Sequence, residues 1–157
     1  MIEMKVSGLA TDSTSRMPIV ILTDMEEKRY LPIWVGVYES DAILMALEHI
    51  EVPRPMTHDL LKGILETTGI EVTEVLISDI KENTFYAKII LNDAGTEYEI
   101  DSRPSDAIAL ALRFDAPIFV AENVIMEATI MDKEKYEKEM QDFKDFLKDI
   151  KPSDFHK

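Results

Sequence analysis

Six side chains suited to acid, base or anion chemistry fall into two short runs. The first run is Pro53-Arg54-Pro55-Met56-Thr57-His58-Asp59. Its guanidinium precedes an imidazole by four residues, and the two prolines hold the chain extended before a helix begins. Thr57 is the predicted N-cap, which puts His58 and Asp59 in the first helical turn. There the dipole favours the carboxylate and resists imidazolium. A neutral imidazole beside a carboxylate suits a general base or a metal ligand. The same residues also fit a structural role, with Thr57 and Asp59 capping the helix and His58 facing water.

The second run is Asp101-Ser102-Arg103-Pro104-Ser105-Asp106. Asp101 ends a predicted strand, and Ser105 with Asp106 opens a helix. Such junctions present side chains and free amides together and therefore favour anion or metal sites. Asp101 and Asp106 suit a shared Mg²⁺ or Mn²⁺, with Arg103 or Arg113 turned towards a phosphate. The plainer alternative is an Arg–Asp pair that locks the turn. Other catalytic signatures are missing from the sequence: there is no Gly-rich phosphate loop, no H-E-x-x-H pair and no G-x-S-x-G elbow. His49 and His156 are too scattered to form a local zinc motif with His58. Glu26-Glu27-Lys28 sits in a turn, and Trp34 reads as core rather than as a base-stacking platform.

The elements that must position these runs follow from periodicity. Ile2, Met4 and Val6 alternate with polar residues as in a half-buried strand, and Pro18–Leu22 is an apolar run fit for a deeper one. Tyr30–Gly36 reads as a third strand, with Pro32 confining it to an edge or a bulge. Ser40 is the predicted cap of a helix carrying Ile43, Ala46, Leu47 and Ile50. A second helix carries the stripe Leu60, Leu61, Ile64 and Leu65 and stops at Gly69. Strands return at Val72–Ile80, Phe85–Leu91 and Thr96–Asp101. A helix capped by Ser105 then runs to about Phe114, apolar on every face and so buried nearly all round. Pro117–Val120 is a candidate for one further strand.

Ser40-Asp41-Ala42-Ile43-Leu44-Met45-Ala46-Leu47 and Ser105-Asp106-Ala107-Ile108-Ala109-Leu110-Ala111-Leu112 agree at six of eight positions. Each follows three predicted strands. The expected fold is therefore α+β, a duplicated β3-α unit forming one curved, mainly antiparallel sheet packed on helices. The expected domain covers residues 1–128, with halves at about 1–68 and 69–128. Residues 129–157 form an added C-terminal amphipathic helix and tail, with Tyr136, Met140, Phe143, Leu147 and Ile150 spaced for docking on a body.

Bulk properties narrow the partners. The chain has 157 residues, a net charge of −14 and no cysteine, which excludes disulfides and thiolate chemistry. Residues 132–157 are nearly neutral, so the folded body carries the acidity and repels phosphate backbones. No apolar run spans a bilayer and no signal-peptide pattern occurs, so a cytoplasmic location without membrane contact is expected. Amide side chains are limited to Asn83, Asn92, Asn123 and Gln141, a balance expected of a protein from a hot environment.

These segments resemble the bifunctional nuclease family. The resemblance rests on Leu31-Pro32-Ile33-Trp34-Val35-Gly36 with Glu39 and Ala46-Leu47-Glu48, on the run from Pro53 to Leu61, and on Phe85-Tyr86-Ala87. It closes on Ile100-Asp101-Ser102-Arg103-Pro104-Ser105-Asp106 with Arg113 and Ala116-Pro117-Ile118. It implies activity on both DNA and RNA, and its motif positions carry over as site members. The expected enzyme is a phosphodiester hydrolase assisted by Mg²⁺ or Mn²⁺. Asp101, Asp106 and Glu39 are the expected metal ligands. His58, Asp59, Asp101 and Asp106 are the expected catalytic residues, and Arg54, Arg103 and Arg113 the substrate contacts. Nucleic-acid binding is expected to be weak and directed to short or single strands, by a homo-oligomer that is most simply a dimer. The alternative is a non-catalytic homo-oligomeric module that binds a small anion or a protein partner.

Overall fold

The structure is a computed structural model that describes residues 1–128 together with 141, 142 and 145. Ten elements run in the order β1 (Ile2–Thr11), β2 (Pro18–Asp24), β3 (Tyr30–Trp34), α1 (Val37–Leu47), α2 (Thr57–Thr67), β4 (Ile70–Lys81), β5 (Thr84–Asp93), β6 (Thr96–Ser102), α3 (Pro104–Phe114) and β7 (Ile118–Val120). Residues 122–128 are helical as well. The amphipathic stripe expected from Tyr136 to Ile150 lies outside the described residues.

The fold is α+β. Seven strands form one mixed, mostly antiparallel sheet in the order β3-β2-β1-β7-β4-β5-β6. Read outward from β7, one side is β1-β2-β3 and the other β4-β5-β6, the layout expected of two related three-strand units. The three-residue β7 holds the centre. It pairs antiparallel with β1 through Ile2↔Val120 and Met4↔Ile118, and parallel with β4 through Val75↔Ile118 and Ile77↔Val120. Pro32 sits in the edge strand β3, opposite Ile21, where its missing N–H costs no ladder bond on the open side.

The main core lies between the sheet and the helices. Val20 and Leu22 of β2 join it beside Ile43 of α1 and Ile108 of α3, all fully buried. The intervening Ile19 and Ile21 point to the opposite face and form a small second cluster with Ala10, Tyr30 and Trp34. Burial on both faces is why β2 reads as a continuous apolar run rather than an alternating one. α3 is the central helix: Ala107, Ala109 and Ala111 are inaccessible to solvent. Their small side chains let it approach its neighbours closely, and enlarging one would strain the core by roughly 1–3 kcal/mol.

Two sequence expectations change. The hydroxyl residues expected to cap the helices all lie inside the first turn. The caps are Gly36, Met56 and Arg103, each with extended backbone. Ser40 instead donates back to the Val37 carbonyl at 2.9 Å. Pro104 at the first position of α3 explains the earlier start there, since it needs no amide partner and its φ is already helical. The second change concerns α2. Most of its stripe is not core: Leu60, Leu61 and Ile64 are exposed, Leu65 alone of the four packs half-buried against the main core, and the only buried residue of the helix is His58.

Candidate active site

The two polar runs, separated in sequence, meet in space. His58 lies in the first turn of α2 and is buried. Its Nε2 is 2.9 Å from Oδ1 of Asp106, in the first turn of α3. The second oxygen of Asp106 accepts from Arg103, at 3.0 Å from Nε and 2.8 Å from a terminal nitrogen. That terminal nitrogen also donates to Oε1 of Glu39 in α1, at 2.9 Å. One chain of contacts, Glu39–Arg103–Asp106–His58, therefore links the starts of α1, α2 and α3. The two carboxylates, Asp106 first and Glu39 second, raise the Arg103 pKa above its ordinary value.

Gly36 makes room for this chain. A Cβ at that position would collide with the Glu39 carboxylate, which folds back over the residue capping its own helix. A side chain at residue 36 would force the Glu39 carboxylate to shift from the position in which it meets Arg103.

A second contact ties the same helices from behind. Arg113 Nε donates to Asp59 Oδ1 at 2.7 Å, while Nη1 donates to the carbonyls of Ala42 and Ala109 at 3.1 and 3.0 Å. The other Asp59 oxygen accepts the Met56 amide at the start of α2, at 3.0 Å. Burial alone would raise the Asp59 pKa, but the Arg113 hydrogen bond, helped by that amide, holds it below the usual carboxylate value. Only 7% of the Arg113 side chain is exposed. Arg113 lines neither cavity described below, so its guanidinium is committed to protein acceptors rather than turned to a substrate. Asp59, expected among the catalytic residues, is its partner in that tie.

Two cavities flank the chain of contacts and share Thr57, His58, Arg103 and Asp106 as their common wall. One is a groove of about 860 Å³ between α2 and the β5–β6 hairpin, lined by Leu61, Ile64, Phe85, Tyr86 and Ile100. The other, about 290 Å³, is lined by Tyr38, Glu39, Asp41, Met45 and Met56. Asp101 lines the groove, is exposed, and bonds to neither Glu39 nor Asp106. Arg54 is exposed and lines neither cavity.

The expected metal ligands do not assemble. Among the described residues, no three His, Cys, Asp or Glu side chains gather to hold an ion. Glu39 and Asp106 both face the Arg103 guanidinium, which fills the place a cation would take between them. The residues as arranged fit a guanidinium and not a divalent metal.

What this arrangement does chemically follows from the His58–Asp106 contact. In the tautomer protonated on Nε2, the imidazole donates to Asp106 and keeps its lone pair on Nδ1. The described residues give Nδ1 no hydrogen-bond partner. A buried imidazole oriented by a carboxylate, opening on two cavities beside an exposed guanidinium, can take a proton from water next to a bound anion.

The groove walls were not anticipated from the sequence. The signal was present in the α2 stripe and in the alternation of Ile89 and Leu91 on β5, but both patterns read equally well as buried faces. Trp34 behaves as expected of a structural residue, donating its indole N–H to Asp12 Oδ2 at 2.8 Å.

Residues 20–133 match the family model described as the bifunctional nuclease domain. An uncharacterized protein of Mycobacterium tuberculosis is 37% identical over 162 residues, covering 98% of this chain and 97% of that protein. Bifunctional nuclease 1 of Oryza sativa subsp. japonica is 34% identical over 112 residues, covering 69% of this chain but 34% of that protein. Bifunctional nuclease 1 of Arabidopsis thaliana is 31% identical over 93 residues, or 57% of this chain and 29% of that protein.

Proposed function

Because the chain belongs to the bifunctional nuclease domain family, we propose that it hydrolyses phosphodiester bonds in RNA and DNA, at the wall between the two cavities. The observation that carries this reading is the 2.9 Å contact between His58 and Asp106, with Arg103 on the same carboxylate. Asp106 fixes the imidazole, and Nδ1 of His58 takes a proton from the attacking water. Arg103 is the cation nearest the reaction and meets the phosphoryl oxygens as negative charge builds on them. The bond from phosphorus to the leaving sugar oxygen breaks, that oxygen takes a proton from solvent, and His58 returns its proton to solvent. Asp101, on the groove rim, orients substrate without joining the hydrogen-bond chain.

Assistance by Mg²⁺ or Mn²⁺ is an expectation from sequence that this geometry does not by itself support, and no step here runs through a metal. The deciding assay compares wild type with His58→Ala and Asp101→Asn on single-stranded RNA and DNA, with Mg²⁺, Mn²⁺ or EDTA. Cleavage lost in His58→Ala supports the reading; equal cleavage by all three proteins, or none by any, removes it. Activity that persists in EDTA would remove the metal.

One observation favours the second reading, a non-catalytic homo-oligomeric module that binds a small anion or a protein partner. Arg103 is already held by two carboxylates, as in a static anion pocket. Calorimetry with inorganic phosphate separates the two, since a phosphate-binding protein without cleavage fits only this alternative. No described helix is long and apolar enough to cross a membrane. A cytoplasmic homodimer is the working assembly, to be checked by sedimentation.

A further inference from the structure

Resting on the nuclease reading, we propose that the groove between α2 and the β5–β6 hairpin binds the unstacked bases of a single-stranded nucleic acid. Recognition then depends on bases rather than on backbone charge.

The groove is apolar where an acidic chain should be polar. Leu61 and Ile64 on α2 are 41% and 52% exposed, and facing them Tyr86 and Ile100 are 40% and 44% exposed. Exposed apolar surface gathered into one cleft marks a binding site more often than it marks chance. The cleft runs into His58, Arg103 and Asp106, so whatever fills it lies against the proposed catalytic wall.

Charge identifies the occupant. The chain carries a net charge of −14, and the groove's charged lining sets two carboxylates, Asp101 and Asp106, against the guanidinium of Arg103. A backbone cannot be tracked by phosphate contacts on such a surface, because that mode needs a row of cations. Among the described residues, Arg103 at the catalytic end is the one Lys or Arg that lines the groove. The nearest further cation at its rim is Lys81, whose ammonium sits 5.4 Å from the centroid of the Tyr86 ring and 3.6 Å from Asp79. Affinity must come mainly from bases laid on apolar and aromatic walls, worth about 1–3 kcal/mol per stacked base. A duplex buries those faces and is excluded. A second copy pairing through the edge strand β6 is disfavoured, since a two-fold would bring Glu97, Glu99 and Asp101 close to their own copies.

The test measures binding separately from cleavage. Fluorescence anisotropy on full-length His58→Ala, which leaves the probe intact, uses labelled oligouridine, an abasic strand of equal length and an RNA duplex. Oligouridine should bind at least about ten-fold tighter than either competitor. The slope of log K against log salt should be no steeper than about −1.4, the value for two phosphate contacts on a single strand. Adding Ile64→Glu or Tyr86→Ala, each at an exposed position and each checked for an unchanged melting curve, should erase the preference for bases. Equal binding of all three probes, no binding, a steep salt slope, or groove variants that bind like their parent would each overturn the proposal. So would a sedimentation result in which Ile64→Glu splits a dimer while oligouridine binding stays intact, because the groove would then be an interface. Cleavage by wild type without any base preference removes the groove proposal and leaves the nuclease reading. Base preference without any cleavage does the reverse.

Discussion

His58 Nε2 and Asp106 Oδ1 stand 2.9 Å apart across 48 residues of sequence, joining the first turn of α2 to the first turn of α3. Removing either partner should disable the proposed base. His58→Ala and Asp106→Asn are expected to lower kcat by about 10²–10⁴-fold, the usual worth of a positioned general base. Asp101→Asn, outside the hydrogen-bond chain, should act mainly on KM. Steady-state kinetics on a single-stranded oligonucleotide checks this, and an Asp101→Asn loss as deep as that of His58→Ala would contradict it.

The Arg113–Asp59 contact predicts a loss of stability instead. Arg113→Ala leaves the half-buried Asp59 carboxylate without its guanidinium. It should cost about 3 kcal/mol in urea unfolding, as for other broken buried pairs. Asp59→Asn should cost less, because an amide oxygen still accepts from Arg113. If Arg113→Ala were as stable as wild type but failed to bind substrate, Arg113 would be a substrate contact after all.

Acid should weaken the fold through the same kind of carboxylate. The Thr14 amide and then the Trp34 indole hold the Asp12 pKa at about 2, down from 3.8. A carboxyl lowered by folding adds stability that is complete above the unfolded value near 4 and lost as pH falls through about 2. Asp59, shifted in the same direction, adds to that loss. Asp12→Asn should therefore cost about 1 kcal/mol at neutral pH and progressively less as pH falls to about 2 and below. Fluorescence of Trp34, the single tryptophan, reports the transition, and a pH-independent difference between the two proteins would contradict the assignment.

Gly36→Ala separates fold from site. The backbone at Gly36 has φ −71°, so alanine is tolerated there, but its Cβ displaces the Glu39 carboxylate from its place over the cap. The melting temperature should stay within the range of an ordinary surface substitution, while the Glu39–Arg103 pair loosens and activity changes by several-fold. Glu39→Gln should shift activity in the same direction. An alanine variant with unchanged kinetics would show that Glu39 does not tune Arg103.

Several features of this protein were legible in residue order alone. Period-two and helical spacings marked the strands and helices, because side-chain direction along a regular backbone is fixed by local geometry. Pro32 announced an edge or a bulge, since a missing amide donor is poorly tolerated between two neighbours, and folding made it the edge. The all-apolar run from Ala107 to Leu112 announced a helix buried on all sides. The repeated Ser-Asp-Ala-Ile start placed two helices after two sets of strands. Other features needed the tertiary structure. No local rule puts the three residues of β7 between β1 and β4, because strand order is set by long-range pairing. The stripe on α2 read as core, since periodicity shows that a face is apolar without showing what covers it. The sequence made His58 and Asp106 candidates separately; only folding set them against each other. Folding also turned Arg113 inward to Asp59, left Arg54 outside both cavities and put Arg103 between Glu39 and Asp106. Those pairings depend on distances between elements far apart in the chain, and such distances are decided by packing rather than by spacing along it.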